Sequence, residues 1–345
     1  MNEDSMLHRA PRVPRASATS SPRPARRRPL APIALATALL TLLTACSAAT
    51  GSGGDATTVR VGNVCGGINP STIATDAKTF PSGTKVKKIC FDGGAEALQA
   101  LIGGSIDVFI GSPEHIVSAR SKDLPVRGYA ALSRRVPYSL VTKADSGIRG
   151  VKDLRDKTVA VTSVGSLSDT ELLKAAADAD IPYKGLKVIN GGVGASIVAA
   201  IDKGAAAGMV SDPQLTQLVH SGKYRVVWKP DFDYVSLVAL ANTSWVDKHR
   251  ALMTDYLRGL TTAEDKSRAD RSFAVKALAK EKFAVSPGVL DEATAQAIAN
   301  TPKGLKIDGG VYRKTIDVLV QTGRIPADRV PDFADAFDFS LLKSS

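Results

Sequence analysis

The 345 residues carry 45 Lys and Arg against 34 Asp and Glu, a formal charge of +11, and 5% are aromatic. No Lys/Arg stripe interleaved with aromatic residues runs through the chain, which argues against a nucleic-acid surface. Two Cys beyond residue 46 and three scattered His (His115, His220, His249) also argue against a metal site, and no cofactor is expected.

The opening stretch concerns export. Residues 1–28 are rich in Arg, Pro, Ser and Ala without apolar periodicity, and Arg26-Arg27-Arg28 shortly precedes an apolar run from Leu30 to Ala45. That run is too short to span a bilayer comfortably, so residues 1–45 read as a signal peptide. It ends in Leu43-Thr44-Ala45-Cys46, which resembles the lipobox of bacterial lipoproteins and implies a lipid on Cys46, followed by a flexible linker over residues 46–56. An ordinary signal peptide that happens to contain Cys46 is the alternative. Arg26-Arg27 suits a twin-arginine signal except that Pro29 stands where an aromatic is usual, so the export route stays open. Residues 1–45 hold seven Arg against Glu3 and Asp4, so +6 of the +11 remains on the mature chain. That charge fits a solvated surface near an anionic membrane.

The first strand is expected over Thr57 to Gly62 and the second over Val86 to Phe91. As neighbouring parallel strands they would bring Cys65 and Cys90 together at their carboxyl ends. In an exported chain a disulfide is then expected, the alternative being two buried thiols. Gly94 to Pro113 reads as an apolar helix (Ala97, Leu98, Leu101, Ile102), a break at Gly103-Gly104, and a strand from Ile106 to Ile110 ending in Gly111-Ser112-Pro113. One hundred residues later the unit recurs without a gap: Gly194 aligns with Gly94, Gly204 with Gly104, and Pro213 with Pro113. A helix, a glycine stop and a short apolar strand make a crossover feeding a parallel sheet. Two copies imply two similar α/β lobes.

Between the copies, Tyr138 to Val141 reads as the chain leaving the first lobe, and Lys157 to Val161 as a strand. Thr162 to Asp169 is Ser/Thr/Gly-rich and opens a helix from Thr170 to Ala179. Small residues let backbone amides approach a ligand, hydroxyls donate or accept, and a helix amino end favours negative charge. Capping of the helix by Ser166 or Ser168 is the plainer alternative. Leu186 to Asn190 reads as a strand running into Gly191-Gly192-Val193-Gly194. Ile197 stands where a dinucleotide fingerprint needs its third glycine, and no Gly-Lys-Ser/Thr is present, so the nucleotide reading fails. Tyr224 to Trp228 closes the second lobe.

Tyr234 to Leu240 would return the chain to the first lobe, giving lobe 1 as 57–140 plus 241–345 and lobe 2 as 141–240, with crossings near 138–145 and 232–242. The helices expected over 247–266, 272–283, 287–300 and 310–322 read as packing on lobe 1 rather than binding anything. Asp332 to Leu341, with Phe333, Phe337 and Phe339, reads as a terminal anchoring segment.

The order of lipobox, strand, Phe91-x-Gly-Gly, the Ala-Leu-x-Ala-Leu-x-x-Gly-x-Ile-Asp-Val run over 97–108 and Val151 to Val161 resembles the periplasmic solute-binding proteins of the nitrate/sulfonate/taurine and thiamine-pyrimidine class (NMT1/THI5-like). The resemblance covers residues 57–260, with the Lys-Asp-Leu-x-x-Lys-x-Val segment before a Ser/Gly-rich helix start as its most specific part. It implies a type II periplasmic-binding-protein fold that delivers a small solute to ABC permease and ATPase subunits. A monomer with no enzymatic activity is expected. Ala207 stands where the first copy has Asp107, which points to a structural role for Asp107.

By this resemblance the solute would be contacted by Asn63, Cys65 and Gly66 after the first strand, by Gly93 and Gly94, and by Ser112 and Glu114. Tyr138, then Thr162, Ser163, Gly165, Ser166 and Leu167, and finally Val193, Gly194, Ser211 and Asp212 complete the expected set. Serines and amides suit a sulfonate or nitrate, whereas inward-pointing Glu114 and Asp212 would favour an amine or a cationic heterocycle. The alternative is that both carboxylates only cap the helices after Pro113 and Pro213. No anion-clamping Arg is obvious, although Arg134 and Arg135 lie near the expected hinge.

Catalysis competes from another class. No Gly-x-Ser-x-Gly elbow is present, and of the His residues only His115 stands near a candidate nucleophile, three residues after Ser112, where it reads as a helix-surface residue. Fungal pyrimidine-synthesising enzymes share the fold class but depend on a Cys-rich motif that is lacking here. A sensor lipoprotein presenting the same cleft to a signalling partner is the third reading.

Overall fold

The duplicated unit forms the middle of each of two sheets. The computed structural model describes residues 57–120 and 122–342. The signal peptide 1–45, Cys46 and linker 46–56 lie outside the described residues. The chain begins β1 (Thr58–Val64), α1 (Pro70–Ala77), β2 (Lys85–Phe91), α2 (Gly94–Ile102), β3 (Val108–Gly111), α3 (Pro113–Arg120) and β4 (Val126–Ser133). It continues β5 (Tyr138–Lys143), β6 (Thr158–Val161), α4 (Leu167–Asp178), β7 (Lys187–Asn190), α5 (Ala195–Asp202), β8 (Ala207–Ser211), α6 (Gln214–His220) and β9 (Tyr224–Trp228). It ends β10 (Leu237–Asn242), α7 (Thr243–Lys248), α8 (Arg250–Ala269), α9 (Arg271–Leu278), α10 (Pro287–Asn300), α11 (Gly309–Gln321) and α12 (Phe333–Ala336).

Among the described residues the strands form two five-stranded sheets, ordered β2-β1-β3-β10-β4 and β7-β6-β8-β5-β9. The orders are equivalent position by position. In each, the first three strands in the order are parallel, and a strand from later or earlier in the chain lies antiparallel beside the third, β10 beside β3 and β5 beside β8. Strand β3 is buried on both faces, which is why it reads as an unbroken apolar run and not as an alternation. Residues Ala97, Leu98 and Leu101 of α2 supply the stripe that covers its sheet.

Insertion of β10 into the first sheet and β5 into the second makes the chain cross twice. The exchanges fall at residues 134–137 and 229–236, a few residues before the expected 138–145 and 232–242, because Tyr138 already pairs with Ser211 in the second sheet. Backbone hydrogen bonds tie the crossings together: Tyr234 N donates to Arg134 O at 3.0 Å and Ser236 N to Ser133 O at 3.1 Å.

Asp107 is structural. Its carboxylate accepts from Arg60 N at 2.8 Å and from the Arg60 guanidinium Nε at 3.0 Å and Nη2 at 2.5 Å, locking β1 to the entry of β3. Ala207, buried in the equivalent place, makes no such bond, so the two halves use different fasteners at one position. The expected terminal segment packs as an aromatic cluster: Phe333, Phe337 and Phe339 lie ring to ring, with Tyr312 against the first two.

Cys65 and Cys90 form a disulfide with Cα atoms 5.3 Å apart, at the ends of paired strands β1 and β2. Replacing both with Ser should lower the unfolding free energy by about 3 kcal/mol, since a loop of this length loses its cross-link in the unfolded chain. Urea unfolding, read as a lower midpoint, checks this.

Candidate functional site

In each sheet the carboxyl ends of the parallel strands and the amino ends of the following helices meet on one edge. The two edges enclose a cavity of about 130 Å3. Asn63, Cys65, Gly66, Gly94, Ser112, Tyr138, Thr162, Ser166, Leu167, Val193, Gly194, Ser211 and Asp212 all line it. The turns at Ser112 and Ser211 therefore face one shared space. Gly93, Glu114, Ser163 and Gly165 are not among the lining residues.

The helix ends around the cavity differ in how their first amides are satisfied. Asn69 caps α1, its side chain accepting from Ser71 N at 3.0 Å and Thr72 N at 3.2 Å. Asp212 Oδ1 accepts from Thr216 N at 3.0 Å and Thr216 Oγ1 at 2.7 Å, so the capping alternative holds there. Helices α2, α4 and α5 have no side-chain cap at Gly93, Ser166 or Gly194. Asp169 N of α4 donates to Ser166 O and Ser196 N of α5 to Val193 O, each at 3.1 Å, and the other first amides are left to water or to a bound acceptor.

The Ser/Thr loop does something other than capping. Thr162 Oγ1 lies 2.9 Å from Ser166 Oγ and 2.9 Å from Ser168 Oγ, and Ser168 Oγ accepts Thr162 N–H at 2.9 Å. The three hydroxyls thus hold one another and shape the wall of the cavity. Facing them, burial pushes the Tyr138 phenol up to about 12, partly offset by Thr162, so Tyr138 stays a neutral donor.

His115 corrects the sequence reading. It is buried, not on the helix surface, and lines the cavity. Ser112 precedes Pro113 at the start of α3, which puts His115 third in the helix. Its Nδ1 accepts Ser112 N–H at 3.0 Å, with Ser112 Oγ at 3.1 Å, in the manner of a capping box. Burial lowers its pKa and keeps the ring neutral; Nδ1 also lies 3.2 Å from Ser112 O, and Nε2 has no partner. A Ser–His pair in a cleft suggests a nucleophile and base. Here the Nδ1 lone pair is already shared with a backbone N–H, which suits a fixed ring better than a proton acceptor.

The carboxyl of Glu114 neither caps α3 nor has any hydrogen-bond partner. The C-terminal helices were expected only to pack, yet Gln296 and Asn300 of α10 line the cavity. Arg135 also lines it, 3.8 Å from Asp231 and 3.7 Å from Asp233. The Asn69-Pro70 helix start and the Ser-Pro-x-His pattern were legible signals for two further lining residues, Asn69 and His115. Among the described residues no group of three or more His, Cys, Asp or Glu is placed to hold a metal ion, and no helix is long and apolar enough to cross a membrane.

A family model described as NMT1/THI5 like matches residues 82–270, more than half of the chain. Comparison with curated proteins by sequence finds no match. Among solved structures, a Bordetella bronchiseptica RB50 protein is 23% identical with a TM-score of 0.72, over 83% of this chain and 96% of that one. The alkanesulfonate-binding protein SsuA of Xanthomonas axonopodis pv. citri, bound to MOPS, is 18% identical with a TM-score of 0.67, over 81% and 97%. A Candida albicans gene product described as having the generic periplasmic binding protein fold is 12% identical with a TM-score of 0.66, over 84% and 98%. The fold is therefore the periplasmic-binding-protein fold, as the resemblance implied.

A methyl at Gly94 would lie 2.7 Å from His115 Cε1, and one at Gly93 would lie 2.1 Å from Ser163 Oγ, which follows β6 of the other sheet. Gly94→Ala should therefore displace the His115 ring and cost about 1–3 kcal/mol of stability. Gly93→Ala should keep the two walls apart. Urea unfolding reads the first, and an increase in radius of gyration by small-angle scattering reads the second.

Proposed function

Because the chain belongs to the NMT1/THI5-like family, we propose that it is an extracytoplasmic, lipid-anchored solute receptor of an ABC importer. A small organic or oxyanion solute, of the sulfonate, nitrate or pyrimidine type, is captured between the lobes and passed to the permease and its ATPase. The observation that carries this reading is the set of uncapped helix starts of α2, α4 and α5, drawn from both sheets and meeting at one cavity. Amides left free at helix ends are ready donors to an oxygen-bearing ligand. Neutral His115 and Tyr138 add donors without adding charge.

Lobe 1 comprises the first sheet with the C-terminal helices, lobe 2 the second sheet, and the paired crossings serve as the hinge. The receptor acts as a monomer, needs no cofactor and performs no chemistry. Export through the signal peptide and a lipid on Cys46 keep it on the outer face of the membrane.

Two experiments test this reading. A thermal-shift screen of methanesulfonate, taurine, nitrate and aminopyrimidines should raise Tm with one class, by a linkage stabilisation of about 2.7 kcal/mol at a hundredfold excess over Kd. If no class moves Tm, the receptor reading fails. Cys46→Ala should move the protein from the membrane to the soluble fraction, and unchanged fractionation defeats the anchor.

A further inference from the structure

Behind the cavity, outside its lining, lies a buried polar cluster that the solute reading does not use. Glu114 of α3 is 7% exposed, Glu171 of α4 is 0% exposed, and Tyr234 in the second crossing is 0% exposed. Neither oxygen of either carboxyl, nor the Tyr234 hydroxyl, has a hydrogen-bond partner. The hydroxyl faces the Glu114 carboxyl without ordinary hydrogen-bond geometry. The three side chains come from three places: a helix of the first sheet, a helix of the second sheet, and the segment joining them.

The nearby cations are committed elsewhere. Arg324, after α11, donates from Nε to Thr170 Oγ1 at 3.0 Å and pairs with Asp169. Lys174 pairs with Asp178, one turn along α4. His115, next to Glu114, is held neutral by burial. Two carboxylates in such a place cannot both stay ionised without a large desolvation cost.

We propose that Glu171 holds a proton beside Glu114 and Tyr234 and so forms a proton-held latch between the two lobes. With that proton bound, Glu171 is neutral and the helices stay together; with it lost, like charges push α3 and α4 apart. The proposal goes beyond the solute reading and needs no solute for its test. Burial, with Glu114 as the next cause, raises the Glu171 carboxyl to about 8, in the direction the latch needs. A folded-state pKa raised in this way gives stability that is complete below the ordinary carboxyl range and is lost as pH rises toward about 8.

The test is Tm and radius of gyration of the purified protein and of Glu171→Gln and Glu114→Gln between pH 5 and pH 9, without added solute. Gln mimics the protonated form, so both variants should fold at pH 5. The Tm of each variant should gain on the wild type by on the order of 5 °C across this range. The wild type should expand as pH rises and the variants should not. Parallel Tm curves, a wild-type radius independent of pH, or failure of both variants to fold at pH 5 would overturn the latch. So would restoration of the wild-type Tm at pH 9 by sodium or calcium chloride but not by choline chloride, which would assign the pair to a metal cation.

Discussion

The structure depends on an exchange of strands. Each sheet is completed by one antiparallel strand, β10 in the first and β5 in the second, that reaches it directly from the other half of the chain. The first sheet is interrupted in sequence by the whole of the second, whose strands β5 to β9 are consecutive, and the two crossings are bonded to each other through Arg134 with Tyr234 and Ser133 with Ser236. A single tether would leave the halves free to swivel. A doubled, hydrogen-bonded tether fixes the two crossings against each other and so holds the two cavity walls in register.

That register gives the cavity its chemistry. Helix starts that would carry little weight singly add up when both sheet edges turn toward one space. Some are already spent, α1 on Asn69, α3 on Ser112 with His115 and α6 beside Asp212, while those of α2, α4 and α5 carry no side-chain cap. The lining holds one cationic and one acidic side chain, Arg135 with Asp231 and Asp233 beside it and Asp212 bonded to Thr216, while His115 is neutral. Fixed dipoles of this kind select by shape and lone-pair direction and leave little to long-range attraction.

The duplicated Gly-to-Pro unit was legible because its two copies align without a gap and each follows elementary rules: apolar spacing for a helix, glycine for its end, an unbroken apolar run for a buried strand. The cleft followed, since parallel strands send their carboxyl ends to one edge. The Cys65–Cys90 bond was legible from strand pairing, with buried thiols as the competing reading. Less visible were features that depend on what lies across a gap in sequence. His115 looked exposed because its own helix has no strong apolar stripe; its burial comes from Phe109 packing edge-on against it. Gln296 and Asn300 look like surface residues of a packing helix, and only the placement of α10 beside the cavity brings them in. Glu114 read as a cap or a ligand contact; it does not cap its helix and lies outside the cavity lining, beside Tyr234 from far along the chain.

The chain's last segment also bears on how this molecule is made. Phe337 bridges to Gly128 on β4, the outer strand of the first sheet, where a side chain on residue 128 would strike the Phe337 ring at 2.7 Å. An uncovered outer strand is an invitation to pair with another molecule, and here the cover arrives some two hundred residues after the strand it protects. During synthesis that strand therefore waits until residue 337 has emerged. Closure of the first sheet is thus a long-range event.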